Sequence, residues 1–140
     1  MTTVGGSCRW LNNEGRLEAD VTVTKARHGA FLVVVTDSMH RHAETWLRDR
    51  QRVLLEECGG QHCTIVDVTE GYSLMSVQGP RSRELLQQLT DSDLCNESLP
   101  FGASKQVYLG AAQVRLTRIT YVGERLTWVI GATAQAATAG

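Results

Sequence analysis

The sequence predicts an α+β fold with a largely antiparallel sheet and two helices packed on one side. Several segments alternate apolar and polar residues, which is typical of half-buried strands. Two other segments repeat their apolar residues with a helical period. The segments follow the order ββαββαβββ, and their connections are short, which favours pairing between neighbouring strands.

Composition limits the chain to one modest core. It has 140 residues, 42% of them hydrophobic, which is too few for several domains. Its net charge is −1, and acidic and basic residues are interspersed, so we expect no nucleic-acid partner and no membrane partner. No apolar run is long enough to span a membrane, and the first residues lack a signal-peptide core.

The first predicted strand presents a carboxylate on its polar face. Residues 1–9 have no periodicity and are predicted to be a flexible lead-in, and residues 12–15 are turn material. Apolar and polar residues then alternate over residues 17–24, which places Asp20 in mid-strand. Such a face either meets water or lines a cavity. Because Asp is depleted in strands, this carboxylate is the main candidate for a functional group.

The next segments complete the first half of the pattern. Residues 31–36 are nearly all apolar and predict a strand buried on both faces. Asp37 or Ser38 can cap a helix that runs to about Glu57 and ends at Gly59 and Gly60, with Trp46 in its core-facing stripe.

The second half begins with two strands, predicted over residues 63–68 and 74–78. Pro80 then starts a second helix with Leu85 and Leu86 in its apolar stripe. Arg81 and Arg83 at this turn indicate either anion binding or simple solvation, and both alternatives stay open. After a loop over residues 91–104, strands are predicted over residues 106–109 and 113–121.

The cysteines and histidines do not predict a metal site. The four cysteines lack Cys-x-x-Cys spacing, and reduced thiols are expected. The four histidines include no His-Glu-x-x-His motif and no zinc-finger spacing, and His40 and His42 diverge if they lie on a helix.

Four stretches in the same order resemble the aminomethyltransferase family, which includes the T-protein of glycine cleavage and the C-terminal parts of sarcosine and dimethylglycine dehydrogenases. Residues 11–23 read Leu-Asn-x-x-Gly-x-x-x-x-Asp-x-x-Val, and residues 76–87 resemble the strand-Gly-Pro-helix segment. Residues 93–101 resemble the Asp-Leu-Ser-Asn-Glu-x-Phe-Pro-Phe segment, and residues 118–124 resemble Arg-x-Thr-Tyr-Val-Gly-Glu. The resemblance implies a partial GcvT-like folate-binding domain over residues 10–124, followed by a divergent low-complexity tail over residues 125–140.

This resemblance also implies a site. Asp20 would be the catalytic carboxylate, and tetrahydrofolate would be bound by Asn12, Tyr121, Arg118 and Glu124. In sarcosine and dimethylglycine dehydrogenases such a domain captures the one-carbon unit of N-methylglycine oxidation as 5,10-methylenetetrahydrofolate. The expected partners are folate and the small N-methyl amino acid product.

The flavin and the location are likewise implied by the resemblance. FAD would belong to an N-terminal part of a full-length relative, because this chain has no Gly-x-Gly-x-x-Gly fingerprint. The expected location is the mitochondrial matrix, in choline degradation, although the chain shows no import signal.

Two departures from the family pattern predict impaired activity. Ser7 stands where the family has a Tyr that contacts folate, and Trp128 stands where it has a Glu that grips the pteridine. The alternative is a non-catalytic interaction module, as in a regulatory subunit of pyruvate dehydrogenase phosphatase. The expected absence of flanking segments also predicts exposed sheet edges and self-association.

Overall fold

A computed structural model describes residues 2–26, 29–57, 63–120 and 126–132. The described residues form strands, two α-helices and two short 3-10 turns, which confirms the predicted α+β class. The strands are β1 Thr2–Leu11, β2 Leu17–Lys25, β3 Phe31–Val35, β4 Tyr72–Gln78, β5 Ala103–Leu109, β6 Ala112–Ile119 and β7 Leu126–Ala132. The helices are α1 His40–Glu57 and α2 Ser82–Gln87, and the 3-10 turns are Asp37–Met39 and Thr69–Gly71.

The strands pair in the order β3-β2-β1-β5-β6-β7-β4 within one antiparallel sheet. The chain divides into two compact units, the first from residues 1–6, 24–31 and 68–140 and the second from residues 7–23 and 32–67. Among the described residues, no helix is long and apolar enough to cross a membrane.

The core of the first unit lies against β5, β6 and β7. Leu116 of β6 is 0% exposed and pairs with Val129 of β7, which is also buried. Leu86 of α2 and Leu94 and Leu99 of the following loop belong to the same cluster of buried side chains. This loop is therefore held by apolar burial although it lacks regular structure.

The expectation of a flexible lead-in is wrong, because residues 2–11 form β1. Thr2 and Val4 pair with Lys105 and Ala103 of β5, so backbone hydrogen bonds order a segment that shows no side-chain periodicity. Gly5 donates its N–H to the Gly102 carbonyl oxygen at 2.7 Å. A Cβ on Gly5 would lie 2.7 Å from Thr24 Oγ1, so glycine is required here for close approach and does not mark a turn.

The expectation of a low-complexity tail from residue 125 also needs correction. Residues Leu126–Ala132 form β7, which pairs with β6 on one side and with β4 on the other. A central strand gains from two ladders of backbone bonds, so small residues such as Gly131 remain ordered within it. Residues 133–140 lie outside the described residues.

In the second unit, α1 packs on β2 and β3. Ala43 of α1 is buried in one cluster with Ala19 and Val21 of β2. The rings of Trp10 and Trp46 stack with 5.1 Å between their centroids. Trp46 is half-buried, so its aromatic partner and not full enclosure accounts for its packing.

Two strand predictions differ from the structure. Residues 63–68 form no strand, and Val66 is largely exposed, so this apolar run lacks a sheet partner. β3 is not buried on both faces. Its side chains are half-buried or exposed, and Val33 and Val35 pack against the cluster formed by Ala19, Val21 and Ala43.

Replacing Leu116 by Ala should lower the free energy of unfolding by about 2–5 kcal/mol, because a fully buried leucine leaves a cavity when truncated. Urea denaturation followed by circular dichroism measures this loss. Leu85→Ala on α2 is the matched control, since Leu85 is 53% exposed and its loss should cost less than about 1 kcal/mol. Equal effects of the two substitutions would contradict the described core.

Candidate functional site

Asp20 lies in β2 between two buried residues, Ala19 and Val21, which hold the strand on its core. The carboxylate side chain is exposed, and Ser7 donates its hydroxyl to Asp20 Oδ1 at 3.2 Å. Thr22 follows on the same face of the strand and is only 5% exposed. Asp20 therefore marks the point where one strand face changes from buried to exposed.

Asn12 shapes the turn that leads into β2. Its Oδ1 accepts the backbone N–H groups of Glu14 and Arg16, both at 3.0 Å. Its Nδ2 donates to Glu18 Oε1 at 2.9 Å. These bonds form an Asx-type turn, so in the structure the Asn12 side chain supports the backbone next to Asp20.

Glu18 and His42 contact each other, and neither is a site residue predicted from the sequence. Glu18 Oε2 lies 2.8 Å from His42 Nε2, so one carboxylate joins Asn12 of the turn to α1. Glu18 precedes Asp20 by two residues and shares its strand face. The alternation of β2 already placed both carboxylates on that face, and this was the signal available in the sequence.

Arg118 belongs to the first unit and lies near α2 and the 93–99 loop. Its Nη1 donates to Asn96 Oδ1 and to the Leu99 carbonyl oxygen, each at 2.9 Å. Arg83 Nη2 donates to the same Asn96 Oδ1. Arg83, Leu99 and Arg118 also border a small cavity of about 20 Å³, which is lined by Ser82, Arg83, Leu86, Leu94, Leu99, Arg118 and Thr127.

The predicted site residues are thus distributed over the chain. Asn12 and Asp20 lie in the second unit and Arg118 lies in the first. Tyr121 and Glu124 fall outside the described residues.

Asp93 begins a loop held by a dense set of hydrogen bonds. Its Oδ2 accepts the Ser98 hydroxyl at 2.5 Å and the Cys95 thiol at 3.0 Å, and its Oδ1 accepts the Cys95 backbone N–H. These donors, with Ser98 first and Cys95 next, lower the pKa of Asp93 to about 2. The pKa of Glu97 is also lowered, mainly by a hydrogen bond with the Cys95 side chain.

One further cluster combines His40 and Glu44 of α1 with Asp67, whose potential ligand atoms all lie within 4.8 Å of one another. His40 Nε2 lies 3.0 Å from Asp67 Oδ2, and Arg48 donates to Glu44 at 2.8 Å. The cluster therefore combines a contact between His40 and Asp67 with an ion pair between Arg48 and Glu44, and the expectation of no metal site stays a prediction. His42 contacts Glu18 and not Asp67, so the two histidines have different partners.

Residues 6–139 match the family described as the GCVT N-terminal domain. Sarcosine dehydrogenase of Mus musculus, a mitochondrial protein, is 31% identical over 135 residues, which cover 84% of this chain and 14% of that protein. Mitochondrial dimethylglycine dehydrogenase of Mus musculus is 30% identical over 118 residues, 84% of this chain and 13% of that protein. An aminomethyltransferase of Alkaliphilus oremlandii is 28% identical over 112 residues, 79% of this chain and 28% of that protein.

A solved structure shares the fold. It is the heterotetrameric sarcosine oxidase from Corynebacterium sp. U-96 in complex with pyrrole 2-carboxylate, with a TM-score of 0.59 and 14% identity. The similarity covers 97% of this chain and 74% of that chain. By contrast, the chain spans only 13–14% of the sarcosine and dimethylglycine dehydrogenases that it resembles.

Replacing Ser98 by Ala should raise the pKa of Asp93 from about 2 toward its ordinary value of 3.8, because the strongest donor to the carboxylate is removed. In the parent chain the folded-state pKa is the lower one, so the unfolded chain binds the proton more readily. The ionised Asp93 therefore stabilises the folded chain above about pH 4, and this stabilisation is lost as the pH falls toward 2. Carboxyl titration by NMR measures the shift.

Ser92→Ala in the same loop is the control, since its hydroxyl is not among the groups that lower the pKa of Asp93. An unchanged Asp93 titration in Ser98→Ala would contradict the assigned cause.

Proposed function

Because this chain belongs to the GCVT N-terminal domain family, which matches residues 6–139, we propose that it is a tetrahydrofolate-binding segment of an aminomethyltransferase-type domain. In a protein like the sarcosine and dimethylglycine dehydrogenases, this domain would capture the one-carbon unit as 5,10-methylenetetrahydrofolate. The family match and the similarity to both dehydrogenases support this proposal.

The observation that carries the proposal is the placement of Asp20. Its carboxylate projects from a strand that is fixed on both sides by buried Ala19 and Val21, so its position does not depend on a mobile loop. Glu18 precedes it on the same face and is held by Asn12 and His42. A rigid pair of carboxylates suits a ligand that carries N–H donors and a developing positive charge.

The chain offers groups that fit a reduced folate. Bound tetrahydrofolate would supply the nitrogen atoms that accept the one-carbon unit. Asp20 would stabilise positive charge beside these nitrogens and orient the proton of the amine. Asn12 would hold the turn next to Asp20, and Arg118, Tyr121 and Glu124 would complete the contacts to folate. The partner molecules would be folate and the N-methyl amino acid product.

The remaining parts of the proposal concern the whole protein. FAD would be bound by a separate part of a full-length relative, and the mitochondrial matrix would be the site of action, within choline degradation. The mitochondrial relatives support this location. The chain by itself would have impaired activity.

A second candidate function is a non-catalytic interaction module of the same fold. The exposure of Asp20 and the presence of Trp128 at the position of the expected pteridine-binding Glu favour it. The two candidates differ in one measurable property, which is the affinity for a reduced folate.

Tetrahydrofolate should raise the melting temperature of the purified chain, because a ligand that binds only the folded form stabilises it by about 2.7 kcal/mol at 100 times its Kd. Differential scanning fluorimetry under reducing conditions measures this shift, which should reach several degrees. Asp20→Asn should keep most of the shift but abolish formation of 5,10-methylenetetrahydrofolate from added formaldehyde above the uncatalysed rate.

Glu14→Gln is the matched control for charge, because Glu14 lies in the neighbouring turn and pairs with exposed Arg16. The control should keep both the shift and the activity. No melting shift at millimolar tetrahydrofolate would overturn the enzyme proposal and support the interaction module.

We also propose that the chain associates with itself through β4. This strand is an end strand of the sheet order, and Tyr72, Leu74 and Met75 along it are exposed. An exposed apolar end strand pairs readily with a second chain. Sedimentation velocity should show an apparent mass that rises with concentration, and Leu74→Lys should suppress the rise.

Leu85→Lys on α2 places the same charge at another exposed leucine and should leave the association unchanged. A constant monomer mass up to several hundred micromolar would contradict this proposal.

A further inference from the structure

His40, Glu44 and Asp67 bring three metal-binding groups together in the second unit. His40 and Glu44 lie four residues apart in α1, which places both on one face of the helix, one turn apart. Asp67 lies at the end of the second unit and contacts His40 on this face. The potential ligand atoms of the three residues all lie within 4.8 Å of one another. One imidazole nitrogen and two carboxylate oxygens therefore surround a common centre.

The separations are close to those around a bound transition metal. Zinc lies about 2.0–2.2 Å from histidine nitrogen and carboxylate oxygen atoms, so neighbouring ligand atoms are about 3–3.5 Å apart. His40 Nε2 and Asp67 Oδ2 are already 3.0 Å apart. Glu44 has the longest side chain of the three, and a change of its side-chain torsions closes a remaining gap of about 1–2 Å while α1 stays in place.

The charge and burial of the three side chains suit a divalent cation. Two carboxylates and a neutral imidazole together balance a double positive charge. The side chains are only 26% exposed for His40, 21% for Glu44 and 35% for Asp67. Partial burial weakens the screening by water and strengthens the attraction between the carboxylates and a cation.

The other contacts of these carboxylates leave room for a metal. Arg48 donates to Glu44 Oε1 through Nε at 3.0 Å and through Nη2 at 2.8 Å, whereas Arg41 Nη1 lies 3.5 Å from Oε2 and its side chain is 86% exposed. A carboxylate can bind a metal through one oxygen while the other accepts hydrogen bonds. Asp67 makes a further interaction besides its contact with His40, and a metal needs only its Oδ2.

We propose that His40 Nε2, Glu44 and Asp67 Oδ2 bind a divalent first-row transition metal such as zinc, with water completing the coordination. The sequence predicted no metal site because its histidines and cysteines show no motif, whereas Asp67 reaches α1 only when the chain folds. The metal fastens residues 63–68, which form no strand, to α1. The site involves neither Asp20 nor folate, so it is independent of the proposed function.

Isothermal titration calorimetry of the full chain with zinc chloride tests this site. Zinc should bind saturably and raise the melting temperature, because a ligand of the folded form stabilises it. Magnesium and calcium chloride should bind at least tenfold more weakly, since these cations prefer oxygen ligands alone. Calcium binding as tight as zinc binding would reduce the effect to a general attraction by acidic side chains and overturn the proposal.

Cobalt chloride distinguishes the site from zinc binding by a thiol. Cys63 is exposed and precedes Asp67 by four residues. Cobalt held by nitrogen and oxygen ligands shows visible ligand-field bands, whereas a thiolate ligand adds an intense charge-transfer band in the near ultraviolet. We expect the visible bands alone, and Cys63→Ser should leave the affinity unchanged. A charge-transfer band, or loss of binding in Cys63→Ser, would assign the metal to a cysteine and contradict the proposal.

Substitution of the histidine separates the ligand from its neighbour on α1. His40→Ala should weaken zinc and cobalt binding at least tenfold, because a metal-bound nitrogen is lost. His42→Ala is the matched control, since His42 contacts Glu18 and should not affect the affinity. Circular dichroism checks that both variants are folded. Equal affinities of the two variants would overturn the assignment of His40.

The carboxylates are tested in the same way. Glu44→Gln should weaken metal binding at least tenfold, whereas Asp49→Asn, which removes the exposed ion pair with Arg52 on the same helix, should leave it unchanged. Zinc should also slow the amide hydrogen exchange of residues 63–67 in the parent chain but not in Asp67→Asn. Equal protection of these residues in Asp67→Asn would show that the metal binds elsewhere and would contradict the proposal.

Discussion

The fold of the first unit depends on the position of β7 between β6 and β4. β7 supplies the backbone partner for both neighbours and brings Val129 against Leu116, so the hydrogen-bond ladder and the buried cluster are completed by one strand. Without it, β6 would expose its backbone groups on one side, and β4 would lose its described partner. The cavity also depends on β7, because Thr127 forms part of its lining.

The sequence predicted those elements whose side chains carry their own signal. The alternation of β2 and the helical period of α1 come from burial on one face, so both were visible without tertiary information. β1 and β7 were missed because their order comes from backbone pairing with distant strands, and residues such as Gly5 and Gly131 give no periodic pattern. Residues 63–68 show the converse, since strand-like composition does not form a strand without a partner.

The candidate site around Asp20 likewise divides into features that the sequence predicted and contacts that only the structure shows. The strand position of Asp20 followed from the alternation, and its family role followed from resemblance. The bonds from Glu18 to Asn12 and His42 could not be read from the sequence, since they join residues brought together only when α1 packs on β2. For Arg81 and Arg83 the sequence left anion binding and simple solvation open, and both alternatives stay open, but the two side chains have different partners. Arg81 is exposed beside Glu84, whereas Arg83 turns toward Asn96 and the cavity.

The contact between Gly5 and Gly102 limits which substitutions homologous sequences can accept at these two positions. Gly102 has a φ of +76°, and a Cβ there would lie 3.2 Å from the Gly5 carbonyl oxygen, while a Cβ on Gly5 would strike Thr24. A side chain at Gly5 therefore demands a change at Thr24 or a shift of β1, and a side chain at Gly102 would be crowded by the Gly5 carbonyl oxygen in a backbone conformation that favours glycine. Homologous lineages that preserve this crossing should therefore keep glycine at each of the two positions.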